Sequence, residues 1–241
     1  MLNINICAQD AYLALYPQSK KPVGVNWPDE GTSQEQALAT NGNLGLLLGP
    51  KSDVMDVDLD CREAKGLAEL ILPKPFAQFD RGTSDSGHYL YKAITCGPTK
   101  RFSGNGPKST LVELRGDGSQ TMIPPSIHPD GSRLNFTDIN QDAPEVEYAD
   151  LLKSVSLLAA CSEVAQLWVS GRRHELALSF SGLCLKQNVD PQMLINIIQR
   201  ICQTTGDRDE QDRMNCVRTS VGKPHDELRG YNGLVDCIGK A

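Results

Sequence analysis

Apolar and polar positions alternate through much of the first half of the chain, and apolar positions recur at helical spacing through the second. Residues 44–48 (LGLLL), set between Gly42 and Gly49, predict a short buried strand. Residues 54–59 (VMDVDL) predict the next. Residues 62–72 (REAKGLAELIL) bring Ala64, Leu67, Ala68 and Ile71 onto one helical face, and Pro73 stops that helix. Residues 88–94, 111–115 and 120–123 predict three further strands. The turn Gly116-Asp117-Gly118 is expected to join the last two as a tight hairpin, which Pro124-Pro125 ends because proline has no N–H for a ladder. Residues 100–108 (KRFSGNGPK) predict a glycine-containing loop between strands.

From about residue 150 the pattern becomes helical. Residues 151–169, 174–187 and 191–204 predict three helices, and a fourth falls within 209–220. Asp190 is the expected N-cap of the third, with Pro191 at its first position. The acidic, proline-containing stretch 138–147 (DINQDAPEVE) is the expected boundary. The prediction is therefore an α+β domain over residues 1–145, followed by a small all-α domain over residues 146–241.

Composition narrows the classes. The chain has 241 residues and 39% hydrophobic residues, enough for a core. It has no apolar run of bilayer-spanning length and no secretory pattern at its start, so no membrane partner is expected and the expected location is cytoplasmic. Eight cysteines include no CxxC pair, so no structural zinc is expected and the thiols are expected to be free and mostly buried. A net charge of −6 argues against a large, sequence-independent DNA-binding surface, though not against a local basic groove.

The charge is uneven. Residues 53–60 (DVMDVDLD) hold four aspartates in eight positions. Strand alternation sends Met55, Val57 and Leu59 to a core and Asp56, Asp58 and Asp60 to the other face. Asp53 has the core parity, so it belongs to the entering turn. Neighbouring carboxylates repel near a core, and a divalent metal relieves that repulsion. A solvated acidic edge strand is the alternative reading of the same stretch.

Two other segments carry chemistry. In residues 81–91 (RGTSDSGHYLY) a small polar turn runs into a strand headed by His88, an arrangement suited to phosphate oxygens. A structural histidine is the alternative. In residues 111–126 (LVELRGDGSQTMIPPS) Glu113 is a carboxylate in an apolar strand. Arg115 shares its face and either reaches a phosphate or neutralises Glu113.

In order, these segments resemble the archaeo-eukaryotic primase superfamily, and within it the bifunctional primase–polymerase (Prim-Pol) branch of viruses, plasmids and other mobile elements. Asp56-Val57-Asp58 resembles its paired-acid strand, Ser86-Gly87-His88 its small-x-His motif, and Glu113 its later acid, at gaps of about 30 and 25 residues. Lys20-Lys21-Pro22 with Trp27, Asn43-Leu44-Gly45 with Gly49, and Arg115-Gly116-Asp117-Gly118 running to Pro124-Pro125-Ser126, His128 and Gly131 are similar to its flanking motifs. The resemblance covers roughly residues 10–136. Asp85-Ser86 stands where that family more often has a Gly-Gly step before its histidine.

The resemblance implies a primase catalytic core with an RRM-like mixed sheet and flanking helices, followed by a helical accessory domain. It implies a template-directed nucleotidyltransferase, a DNA primase and polymerase working in the replication of a mobile element or phage. Asp56, Asp58 and Glu113 would be catalytic and would hold two Mg2+ or Mn2+ ions, with Asp60 in support. Ser86, Gly87, His88 and Arg115 would bind the NTP or dNTP. Lys100, Arg101, Lys108, Arg172 and Arg173 are candidates for the single-stranded DNA template. A replicative helicase, fused or separate, is the implied partner, and a bacterial or archaeal cell the implied host. A metal-dependent nuclease built on the same acids, and a non-catalytic replication or nucleic-acid-binding module, remain the alternatives.

Overall fold

The structure is a computed structural model that describes residue 6 and residues 10–82, 85–105 and 110–238. Among the described residues the order is β1 (Tyr12–Leu15), α1 (Gln34–Leu38), β2 (Asn43–Leu47), β3 (Val54–Leu59), α2 (Arg62–Ile71), β4 (Ala77–Asp80), β5 (Gly87–Thr95), β6 (Lys100–Ser103), β7 (Thr110–Arg115), β8 (Gln120–Ile123), β9 (Asn135–Ile139), β10 (Val146–Glu147), α3 (Tyr148–Gln166), α4 (Arg173–Lys186), α5 (Pro191–Thr205), α6 (Glu210–Arg218) and α7 (Tyr231–Ile238). This is a mixed α+β fold.

The strands form two sheets. The larger runs β6-β7-β3-β5-β4-β9, all antiparallel, and β10 pairs in parallel with the far end of β5. The smaller runs β1-β2-β8.

Alternation along the strands gives the large sheet two different faces. Met55, Val57 and Leu59 of β3, Tyr89 and Tyr91 of β5, and Val112 and Leu114 of β7 join one buried cluster with α2 through α5. The apolar stripe Ala64, Leu67, Ala68 and Ile71 of α2 belongs to it, as do Leu158 of α3, Phe180 of α4 and Ile198 of α5. That core is continuous from the sheet into the helices. A fully buried leucine such as Leu158 contributes about 2 kcal/mol to it. On the other face Val54, Leu90, Ala77 and Phe79 pack with Leu13, Leu15, Leu44, Leu46 and Ile123 of the small sheet in a second cluster. The large sheet is thus sandwiched between helices and a second sheet.

The predicted strand 54–59 has its predicted bounds, and the predicted helices appear within a few residues of theirs. Asp190 caps α5 by accepting from the Met193 N–H at 2.8 Å, with Pro191 at its first position. Asp53 sits in the entering turn at φ 54°. Seven described cysteines are free thiols, five of them buried.

Two expectations are corrected. The turn after β7 does not close a hairpin: β7 pairs with β3 and β6, whereas β8 pairs with β2 in the other sheet. The glycines serve a crossing of loops instead. Asp117 N–H donates to the Gly97 carbonyl, and a Cβ on Gly116 would lie 2.1 Å from that oxygen. The stretch 100–108 also begins as a strand, β6, because Phe102 packs onto the helix-side core. The acidic stretch 138–147 contains the end of β9 and all of β10.

Candidate active site

Strand register assembles the acids. Glu113 of β7 lies opposite Asp58 of β3, and Asp58 opposite His88 of β5. One pleat along, Arg115 lies opposite Asp56. Side chains paired across a sheet share a face, so all five project away from the helices. Arg101 of β6 extends the first row beyond Glu113, and Phe79 of β4 extends it beyond His88.

The distances show one charged cluster. His88 Nδ1 is 2.9 Å from Asp56 Oδ2, and its Nε2 is 3.6 Å from Asp58 Oδ1. The His88 ring stacks on Phe79 with centroids 4.5 Å apart, which fixes its plane. Arg115 Nε donates to Glu113 Oε2 at 3.1 Å, and its Nη1 is 3.9 Å from both Asp56 and Asp58. Arg101 Nη2 donates to Glu113 Oε1 at 3.0 Å. Asp56 is fully buried.

Burial alone would push the Asp56 carboxyl up, but His88 and Arg115 hold it below the usual carboxylate range. Burial would likewise push His88 down, but Asp56 and Asp58 raise it. At Asp60 the same two cations pull the carboxyl down but are outweighed. Burial, then the Asp58 and Glu113 charges, push it up to about 6.

The donor set suits a hard divalent cation. Three carboxylates gather on one face with no thiolate among them, and oxygen ligands of this kind match Mg2+ and Mn2+. Their charge is met here by Arg101, Arg115 and His88, the groups a bound cation would relieve.

A cavity of about 170 Å³ opens over this face, between the two sheets. Asp58, Asp60, His88 and Arg115 line one side, and Gln120 and Thr121 of β8 the other. Ser86 and Gly87 lie at its edge, as do Lys20, Arg81 and His128.

The predicted site residues therefore divide. Asp56, Asp58, Glu113, His88 and Arg115 are brought together, with Ser86 and Gly87 beside them. Arg101 stands against Glu113 rather than in a loop. Lys100 lies opposite Leu114, on the other face of the sheet. Lys108 lies outside the described residues. Arg173 Nη1 is 3.3 Å from Asp207, and Arg172 lines a separate groove with Arg229 and Tyr231. Neither lines the acidic cavity.

Sequence reasoning did not assign Arg81, Gln120 or Thr121 to the site. Arg81 precedes the small-x-His turn directly, which was the available signal. Gln120 and Thr121 reach the site only through pairing in the second sheet, which no local pattern reveals.

Residues 8–149 match the family model described as bifunctional DNA primase/polymerase, N-terminal, and this span is more than half of the chain. The chain belongs to the Prim-Pol family. Asp56, Asp58, His88, Glu113 and Arg115 all fall within the Prim-Pol match, whereas α4 to α7 lie beyond it. As a Prim-Pol protein the chain is a primase/polymerase in the general sense, a nucleotidyltransferase of replication with DNA and nucleotides as substrates. A comparison with curated proteins found no match. Among the described residues no helix is long and apolar enough to cross a membrane.

Proposed function

We propose that this Prim-Pol protein is a template-directed DNA primase and polymerase that joins NTPs or dNTPs with release of pyrophosphate at a site for two Mg2+ or Mn2+ ions. The observation that carries this reading is the row Glu113–Asp58–His88, flanked by Asp56 and Arg115, on one face of one sheet. Asp56, Asp58 and Glu113 would hold the ions. Such ions, when bound, lower the pKa of a primer 3′-hydroxyl and offset the charge of the triphosphate.

The chain's own cations do the rest. His88, which Asp56 and Asp58 favour in its charged form, donates to a phosphate oxygen. Arg115 serves as a second phosphate contact, and Ser86 and the Gly87 turn complete the nucleotide edge. Asp60 supports the acidic face. Arg101, whose side chain is 62% exposed, is free to swing from Glu113 to a phosphate of a single-stranded DNA template.

In this reading residues 1–145 are the primase core with its RRM-like sheet, and residues 146–241 a helical accessory part, in which Arg172 and Arg173 are candidates for template contact. Replication of a mobile element, with a helicase acting alongside, rests on the family resemblance alone.

A priming assay tests the reading. Protein, single-stranded DNA, Mg2+ or Mn2+ and labelled nucleotides are combined without a primer, beside an Asp56→Asn, Asp58→Asn variant with an unchanged circular dichroism spectrum. Short products from the wild type alone are expected. Products from the folded double variant would overturn the assignment of the acids. Shortening of the DNA would point to a nuclease, and no product in either priming or primer extension to a binding module.

A further inference from the structure

The cavity has a second set of charged groups, away from the acids. Arg81 leaves the end of β4 and lines the cavity with His128, from the loop after β8. Its Nη1 donates to Asp130 Oδ2 at 2.6 Å and lies 3.3 Å from His128 Nδ1, and its Nη2 donates to Ser86 Oγ at 3.3 Å. His128 Nδ1 is 3.0 Å from the other oxygen of Asp130. One carboxylate is thus held by an arginine and a histidine that come from two different sheets.

These groups are anchored. Asn43, buried in β2, donates to the Ile127 carbonyl at 2.7 Å and accepts from the Ile127 N–H at 2.9 Å. Ser126 Oγ accepts from the Leu44 N–H at 2.8 Å. His128 is therefore hung from the small sheet by its two preceding residues. Behind Arg81, Lys65 bridges Asp80 at 2.7 Å and the Ser86 carbonyl at 3.1 Å, which ties the end of β4 to the start of β5.

The arrangement is asymmetric. Arg81 and His128 line the cavity, with side chains 27% and 19% exposed, while the Asp130 side chain is 49% exposed and is not part of the lining. Both donors thus belong to the cavity wall, while the carboxylate that holds them reaches solvent. Asp130 stands in the position of an anion that the donors would otherwise bind.

We propose that Arg81 and His128 form a clamp for the pyrophosphate end of the incoming nucleoside triphosphate, and that Asp130 is the intramolecular anion this phosphate displaces. The inference rests on the proposed nucleotidyltransferase reading. With the α-phosphate at Asp56, Asp58 and Glu113, the β- and γ-phosphates extend away from the acids. Arg81 and His128 line the same cavity, and Arg81 adjoins the nucleotide edge through Ser86. A guanidinium presents paired N–H groups that match phosphate oxygens.

The test is calorimetric titration in Mn2+ with dATP carrying an imido bridge between its α- and β-phosphates, and in parallel with dAMP. Wild type, Arg81→Ala, Arg81→Lys and Asp130→Asn are compared, with melting curves as the control for folding. Arg81→Ala is expected to weaken the triphosphate about tenfold and dAMP less than twofold. Arg81→Lys should recover part of the loss. Asp130→Asn, which removes the competing charge, should tighten the triphosphate by about two- to fivefold. Equal losses for both nucleotides, or no loss with Arg81→Ala, would overturn the clamp while leaving nucleotide binding standing. Absence of binding to the wild type would instead sink the nucleotidyltransferase reading and the clamp with it.

Discussion

Glu113 carries an arginine on each oxygen, Arg101 on Oε1 and Arg115 on Oε2. Arg115 is largely enclosed, and also faces Asp56 and Asp58. Arg101 is the exposed partner, so its pair with Glu113 is worth roughly 0.5–1 kcal/mol. Arg101→Ala is accordingly expected to lower the Mn2+ concentration for half-saturation about two- to fivefold in calorimetry. Unchanged or weaker metal binding would mean that Arg101 does not compete for Glu113. At this scale much of the site was legible. The parity of residues 54–60 separated the acids from the core, and an acid between apolar neighbours marked Glu113. Arg101 was read as a loop residue because β6 is an edge strand of four residues whose alternation is too short to register. Arg81 was missed because its place beside the cavity depends on contact with His128 and Asp130, which follow a strand of the other sheet.

Helices meet at a second buried charge cluster. Asp207, just past α5, accepts from Trp168 Nε1 at 3.0 Å and from Arg213 Nε of α6 at 3.0 Å, and lies 3.3 Å from Arg173 of α4. Burial pushes the Asp207 carboxyl up, but the Asp209 N–H, Trp168 and Arg213 together hold it below its ordinary value. A carboxyl lowered on folding contributes stability above its unfolded value of about 4 and loses it as pH falls through the folded value. The helical layer should therefore weaken below about pH 4, read from Trp168 fluorescence in a Trp27→Phe background. Asp207→Ala, which leaves Trp168 Nε1 without its acceptor and Arg213 with only Asp209 and Asp212, should destabilise by about 1–3 kcal/mol at neutral pH in urea titration. A loss below about 0.5 kcal/mol would show that the remaining partners and water satisfy both groups. Helices were the elements best read in advance, because apolar spacing and a proline or aspartate cap are local signals. The partners of β7 and β8 were misread because Gly116-Asp117-Gly118 signals a turn but not which strands it separates.

Across the whole molecule, one apolar cluster joins the large sheet to α2, α3, α4 and α5. The helical half covers the side of the sheet opposite the acids. A chain cut after residue 145 would keep α2 over the sheet but lose α3, which packs against β7, and so would bare Val112 and Leu114 to water. Such a fragment is expected to lack a sharp thermal transition by circular dichroism and to bind a hydrophobic dye. A cooperative transition near that of the full chain would show instead that the sheets fold on their own. Composition shift alone marked where helices begin. It carried no information on whether they share a core, because packing partners are set by faces that only the assembled sheet creates.

The site lies where two sheets part company, and the spacing between them is fixed elsewhere. Met122 and Leu134 line the cavity and also belong to the inter-sheet cluster with Leu44, Phe79 and Leu90. Interiors packed this tightly transmit a change of one methylene. The aperture over the acids is thus a calliper whose screw is hydrocarbon. How bulky a guest it admits is set in part by residues that carry no charge.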